Sequence, residues 1–246
     1  MKFLLSFLIL AFSLPLGAQS LKKVTVKNKD KGEKEVYTVL KSDRSIKQGE
    51  YVKYGFNKAI IEKGSFDNGK RSGSWTYYSP NGLKAVAKGS YDADVQSGVW
   101  DFFNYKGELE QRYDFTKEEL LHIELDEDAK NHEFLLVNGM DTILTKLDQA
   151  PVYIGGSTSL FKPILQNIKY PIEAKNAEIT GIVLISFLID ENGKTRDHKV
   201  KQGIGYGCDE TSLSAIQSVP DRWIPGRLNG EAVNVVYIIP QRFQLK

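Results

Sequence analysis

Between residues 49 and 115, large and small positions follow a pattern that returns every 25 residues. Lys63-Gly64-Ser65-Phe66-Asp67 recurs as Lys88-Gly89-Ser90-Tyr91-Asp92, and Ser72-Gly73-Ser74-Trp75 as Ser97-Gly98-Val99-Trp100. Trp75 and Tyr77, then Trp100 and Phe102, alternate as strand residues do. Asn81-Gly82 and Lys106-Gly107 stand where tight turns are wanted, since glycine accepts positive φ. Gly49-Glu50-Tyr51 with Tyr54 forms a partial earlier copy. One hairpin cannot bury its aromatic row alone, so the pattern predicts stacked copies in a β-meander. Lys23 to Lys27 and Glu35 to Leu40, joined by the charged turn Asn28 to Lys34, extend the same sheet. The aromatic rows read as packing core in preference to a carbohydrate or peptide platform, because each recurs together with the glycines.

From residue 151 the periodicity changes. Leu160, Phe161, Ile164, Leu165 and Ile168 lie at helical spacing over Ser157 to Ile168, with Pro163 marking a start or a kink. Tyr170-Pro171 stops the element. Gly181 to Ile189 is apolar almost throughout, as a central strand would be. Asp190-Glu191-Asn192-Gly193 turns the chain into Lys194 to Gln202, a polar edge strand. Gly203 to Gly207 lacks the full phosphate-loop pattern and reads as a turn. Asp209 is expected to cap a helix with Leu213, Ile216 and Val219 on its apolar side, ended by Pro220. Trp223 to Gly230 reads as loop. Val233 to Leu245 is the last strand, and Pro240 places it at an edge. The expected fold is an α+β domain, helix-strand-strand-helix-strand, with an antiparallel three-stranded sheet, preceded by an all-β repeat meander. A long free edge invites a partner peptide to add as a strand. Residues 117–150 form the join, with a small hairpin of Phe134 to Val137 and Thr142 to Leu144 about Asn138-Gly139. The domain boundaries are 1–18, 19–48, 49–116, 117–150 and 151–246.

Charge and chemistry narrow the function. The chain of 246 residues carries 33 basic and 31 acidic side chains, a net charge of +2, which argues against a nucleic-acid partner. Lys2, the apolar run Phe3 to Leu16 and Leu16-Gly17-Ala18 read as a cleavable export signal. The run is shorter than the ~20 residues a membrane span needs. An uncleaved inner-membrane anchor facing the periplasm is the alternative. The expected location is therefore the periplasm. Cys208 stands alone and reads as a small buried residue. Glu118, Glu119, Glu124 and Asp126-Glu127-Asp128 read as a solvated face, without a calcium-loop pattern. His122, His132 and His198 have no metal-ligand spacing, and no Gly-x-Ser-x-Gly element occurs. No enzyme activity, metal or cofactor is expected.

Two resemblances follow from these residues. The 49–116 repeats (Gly-x-Trp-x-x-aromatic, then a Gly turn) resemble MORN-type repeats. Residues 151–246 resemble the C-terminal domain of TonB in the variant common in Bacteroidetes. The resemblance rests on Gly155-Gly156, Tyr170-Pro171-x-x-Ala174, Gly181-x-Val183, Phe187-x-Ile189-Asp190, Asn192-Gly193 and Cys208-Asp209. It continues through Trp223-x-Pro225-Gly226, Asn229-Gly230 and Tyr237-x-x-Pro240-x-x-Phe243. It implies binding of the TonB box of an outer-membrane receptor at the sheet edge, in TonB-dependent transport. By position, it implies Gln166, Tyr170 and Pro171 as contact residues, with the backbone of Val235, Tyr237, Ile239 and Gln241. A motor of the ExbB/ExbD type would be a partner only if the N-terminus is an uncleaved anchor, and a homodimer through an edge strand is a further option. The alternative function is an envelope scaffold that assembles proteins without energy transduction.

Overall fold

A computed structural model describes residues 20–125, 132–139 and 141–245. The expected leader at 1–18 and the acidic Asp126 to Asp128 fall outside the described residues.

Nine strands run in chain order as one antiparallel meander. They are β1 (Leu21–Asn28), β2 (Glu33–Leu40), β3 (Lys47–Tyr54), β4 (Ile60–Asp67), β5 (Lys70–Tyr78), β6 (Ala85–Asp92), β7 (Val95–Phe103), β8 (Leu109–Asp114) and β9 (Glu119–Ile123). The sheet thus continues beyond residue 116. The sequence repeat is an exact structural one: β4 and β6, like β5 and β7, start and end 25 residues apart.

Each repeat packs a tryptophan flat on a glycine of the preceding strand. A Cβ at Gly64 would lie 2.2 Å from the Trp75 ring, and one at Gly89 would lie 2.2 Å from Trp100. The indole nitrogens donate to the carbonyls of Ser65 and Ser90 at 3.1 and 3.0 Å. Both tryptophans are 1% exposed. Tyr37, Tyr51, Phe66, Trp75, Tyr91, Trp100 and Phe115 form a ladder with successive centroids 5.1 to 6.3 Å apart. The aromatic rows are the core of this sheet.

The tight turns differ from those expected. They are Asn68-Gly69 (φ 48° and 81°) and Ala93-Asp94 (φ 47° and 75°), each with both residues left-handed. The Asp94 carboxylate accepts from the backbone N–H and the Nε of Arg71, both at 3.0 Å, which holds the second turn without glycine. Gly82 and Gly107 instead close wider loops, their N–H groups bonding the carbonyls of Ser79 and Asn104.

The C-terminal region contains β10 (Glu133–Asn138), β11 (Asp141–Lys146), β12 (Val152–Tyr153), α1 (Gly156–Asn167), α2 (Ile172–Asn176), β13 (Gly181–Ile189) and β14 (Thr195–Gln202). It continues with α3 (Cys208–Gln217), β15 (Trp223–Ile224), β16 (Gly226–Leu228), β17 (Glu231–Val233) and β18 (Val235–Phe243). Its main sheet has five strands in the order β11-β10-β18-β13-β14, not the three expected. The hairpin of β10 and β11 joins it because Phe134, 8% exposed, stacks on Tyr237 at 6.4 Å. β18 is therefore not a wholly free edge. The helices cover one face, burying Leu160, Ile164, Ala174, Cys208, Ala215 and Ile216 against Val183, Ile185, Phe187, Ile189 and Ile239. Cys208 is buried and free, and burial raises its thiol pKa.

Other expectations need correction. α1 runs through Pro163 and begins seven residues before it, so Pro163 does not start the helix. Asp209 does not cap α3, which begins after left-handed Gly207. Its carboxylate instead receives the N–H groups of Ile204 and Gly205, tying down the glycine turn. The expected loop at 223–230 contains two short ladders: β15 pairs with β12, and β16 with β17.

Candidate functional site

The partner contact is expected at β18, which is the middle strand of the five, between β10 and β13. β13 pairs with β18 over its full length, from Ile189↔Val235 to Gly181↔Phe243. On the other side, β10 pairs only with Val235 and Val236, and Val137 N–H donates to the Asn234 carbonyl at 2.9 Å. Alternate residues of a strand turn their N–H and C=O to opposite sides. That bond therefore sets the direction of the rest: Val236, Ile238, Pro240 and Arg242 turn their backbone groups away from β13. Pro240 lies opposite Leu184 and loses no bond to β13, because its missing N–H would point outward. Among the described residues, no strand pairs with the outer side of β18 beyond Val236. The outer side thus offers the N–H of Ile238 and Arg242 and the C=O of Ile238, Pro240 and Arg242.

The predicted contact residues do not gather into one patch of side chains. Val235, Ile239 and Gln241 are buried, pointing to the helix-covered face. Tyr237 is half-buried among Phe187, Trp223 and Phe134, with ring centroids at 5.8, 5.0 and 6.4 Å. Burial raises its phenol pKa. Tyr170 packs edge-on against Phe243 at 5.3 Å, and its hydroxyl donates to the Ile179 carbonyl. It thus sits under the far end of β18. Pro171 precedes α2 and closes on Gly207. Gln166 lies elsewhere: it is exposed on α1 and lines a cleft between the helix and the meander.

Sequence reasoning missed the clamp that joins the two regions. Gln111, 1% exposed, donates from Nε2 to the Tyr153 carbonyl at 3.0 Å. Its Oε1 accepts the Gly155 N–H at 2.7 Å. Glu110 receives the backbone N–H and hydroxyl of Ser157, both at 2.8 Å, at the positive end of α1. Ile154 and Ile224 pack on the meander's aromatic core. Glu110 and Gln111 are ordinary polar residues of a strand, and nothing in their spacing marks them.

With this geometry in view, the family comparison places the module. Residues 166–245 match the family described as Gram-negative bacterial TonB protein C-terminal. The match covers about a third of the chain and begins inside α1. No curated protein matches the chain.

Proposed function

We propose that this chain is a periplasmic TonB-like protein that binds outer-membrane receptor peptides by β-strand addition. The observation that carries this reading is the unpaired outer side of β18 from Ile238 to Arg242, within the stretch that matches the TonB C-terminal family. The side chains of Val235, Tyr237, Ile239 and Gln241 serve the core, so recognition runs through the backbone. A peptide strand bonds to Ile238 and Arg242, and its pairing is interrupted at Pro240. The periplasmic placement rests on the export signal read at residues 1–18. An ExbB/ExbD-type motor enters only if that segment is kept as an anchor. Among the described residues no helix is long and apolar enough to cross a membrane.

The test is fluorescence polarisation with a labelled synthetic peptide carrying a receptor TonB box. Ile238→Pro removes an outward N–H and leaves the bonds to β13 in place. It weakens binding by about tenfold, whereas Ile238→Thr, which keeps the N–H, binds within about twofold of the parent. Equal affinity for the proline and threonine variants would sink strand addition here and favour the scaffold reading.

A further inference from the structure

The hairpin of β10 and β11 stands on the same side of β18 that the proposed partner strand would use, and it holds that place weakly. β13 pairs with β18 from Val235 to Phe243, whereas β10 pairs with it only at Val235 and Val236. The bond from the Val137 N–H to the Asn234 carbonyl, at 2.9 Å, extends the hold by one residue. Within β10 only Phe134 is buried, and its stack on Tyr237 at 6.4 Å anchors the hairpin to the sheet. β11 is exposed along nearly its whole length, Ile143 and Leu144 included. An element with so few buried apolar contacts opens locally at a free energy well below that of global unfolding. Its root, in contrast, is fixed. The N–H groups of Asp148 and Gln149, just after β11, donate to the Arg227 carbonyl at 2.9 and 3.3 Å.

Position makes the hairpin and a partner strand competitors. The register sets Leu135 opposite Val236, so two residues further Glu133, where β10 begins, comes level with Ile238, although pairing stops at Val236. Ile238 is the first outward residue that a partner strand reaches. A strand seated there lies in line with β10 and meets its end. It either stops short of Val236 or takes the place of β10 and gains the outward backbone groups of Val236 as well. Pro240 favours the second course. It removes one N–H from the free stretch, which leaves a short ladder with a gap, and pairing with Val236 lengthens that ladder.

We propose that the β10–β11 hairpin is an internal competitor for the outer side of β18 and swings aside about its root when a partner strand adds. This rests on the strand-addition reading above. The hairpin then lowers the apparent affinity for the partner in proportion to the fraction of molecules in which it is open. While no partner is present, it shields Val235 and Val236 from pairing with other chains.

The test is fluorescence polarisation of a labelled TonB-box peptide with the full chain in three forms: the parent, Phe134→Ala, and Leu135→Cys combined with Val236→Cys. Leu135 and Val236 face each other as a hydrogen-bonded pair, with Cα atoms about 5.5 Å apart, a span that a disulfide bridges. Cys208 is buried and stays out of the exchange. Phe134→Ala removes the anchor and should tighten peptide binding by about tenfold. The oxidised cysteine pair should weaken binding by at least about tenfold, and reduction should restore the affinity of the parent. Amide exchange without peptide reads the hairpin itself. The Val137 N–H should exchange at least about tenfold faster in Phe134→Ala and more slowly in the oxidised pair. The proposal is overturned if the oxidised and reduced pair bind alike, or if Phe134→Ala speeds exchange at Val137 without a gain in affinity. Either result leaves strand addition at Ile238 to Arg242 standing. Absence of binding in every form, the opened and reduced ones included, overturns strand addition and this proposal with it.

Discussion

The meander and the C-terminal domain cover their sheets in different ways. In the meander the sheet supplies its own cover: Trp75 and Trp100 lie across Gly64 and Gly89, so the aromatic ladder seals one face from within. In the C-terminal domain the sheet is aliphatic on its inner face, and α1 and α3 seal it from outside. A self-covered sheet gains length by adding copies. A helix-covered sheet is finite, and its strand edges are what it has left to offer. This is why the strand addition we propose is placed at the outer side of β18 and not in the repeated region.

The largest effects should come from breaking the two modes of cover. Trp75→Ala leaves a large cavity over Gly64 and should cost about 3–5 kcal/mol in urea unfolding. Ile185→Ala, in the aliphatic core, should cost about 2–5 kcal/mol by the same measurement. If the meander tolerated loss of Trp75 with less than about 1 kcal/mol, the tryptophan-on-glycine account of that sheet would be wrong.

The clamp between the regions comes next. Gln111→Ala strands the Tyr153 carbonyl and the Gly155 N–H in a buried place and should cost about 1–3 kcal/mol. Faster amide exchange at Gly155 would accompany it, and unchanged exchange would contradict the clamp.

A smaller effect sharpens the edge account. Pro240→Ala places an N–H in the gap of the outward row. It should tighten binding of a receptor peptide by roughly fivefold, the worth of one hydrogen bond of about 1 kcal/mol. Isothermal titration of the variant checks this, and a weakened complex would argue against pairing along this side.

The pH dependence is the most modest. Burial lowers the pKa of His198, which stacks on Phe187 at 5.1 Å. The unfolded chain binds the proton more readily, so this contribution is present above about pH 6.5 and is lost as pH falls from there through the lower folded-state pKa. Asp101 is lowered chiefly by its hydrogen bond to Arg112, and its contribution is lost only at more acid pH, below the ordinary carboxylate range. A denaturation series across pH should show the first loss in the parent and not in His198→Phe.

Legibility in the sequence also differed between the regions. The repeat made the meander readable, because Gly64 and Gly89 recur with the tryptophans that lie on them. The turn at Ala93-Asp94 escaped, since its left-handed pair contains no glycine and is held by Arg71 from the neighbouring strand β5, 23 residues back in the chain. In the C-terminal domain the main strands and helices were readable from periodicity. The attachment of β10 was not, because Phe134 reaches Tyr237 across about a hundred residues of chain, and local pattern carries no such pairing. Of the candidate site, Pro240 signalled an edge correctly in physical terms: its outward side is the unpaired one. The backbone of Val235, Tyr237, Ile239 and Gln241 was named from the family resemblance alone, and the fold turns it to β13, leaving the residues between them on the outer side.

The central claim is that a receptor peptide adds to the outer side of β18. Amide hydrogen exchange followed by NMR, with and without a TonB-box peptide, tests it most directly. The account predicts new protection at Ile238 and Arg242, with Val235, Tyr237 and Ile239 unchanged because their N–H groups already bond to β13. Peptide binding without protection at Ile238 and Arg242 would contradict it.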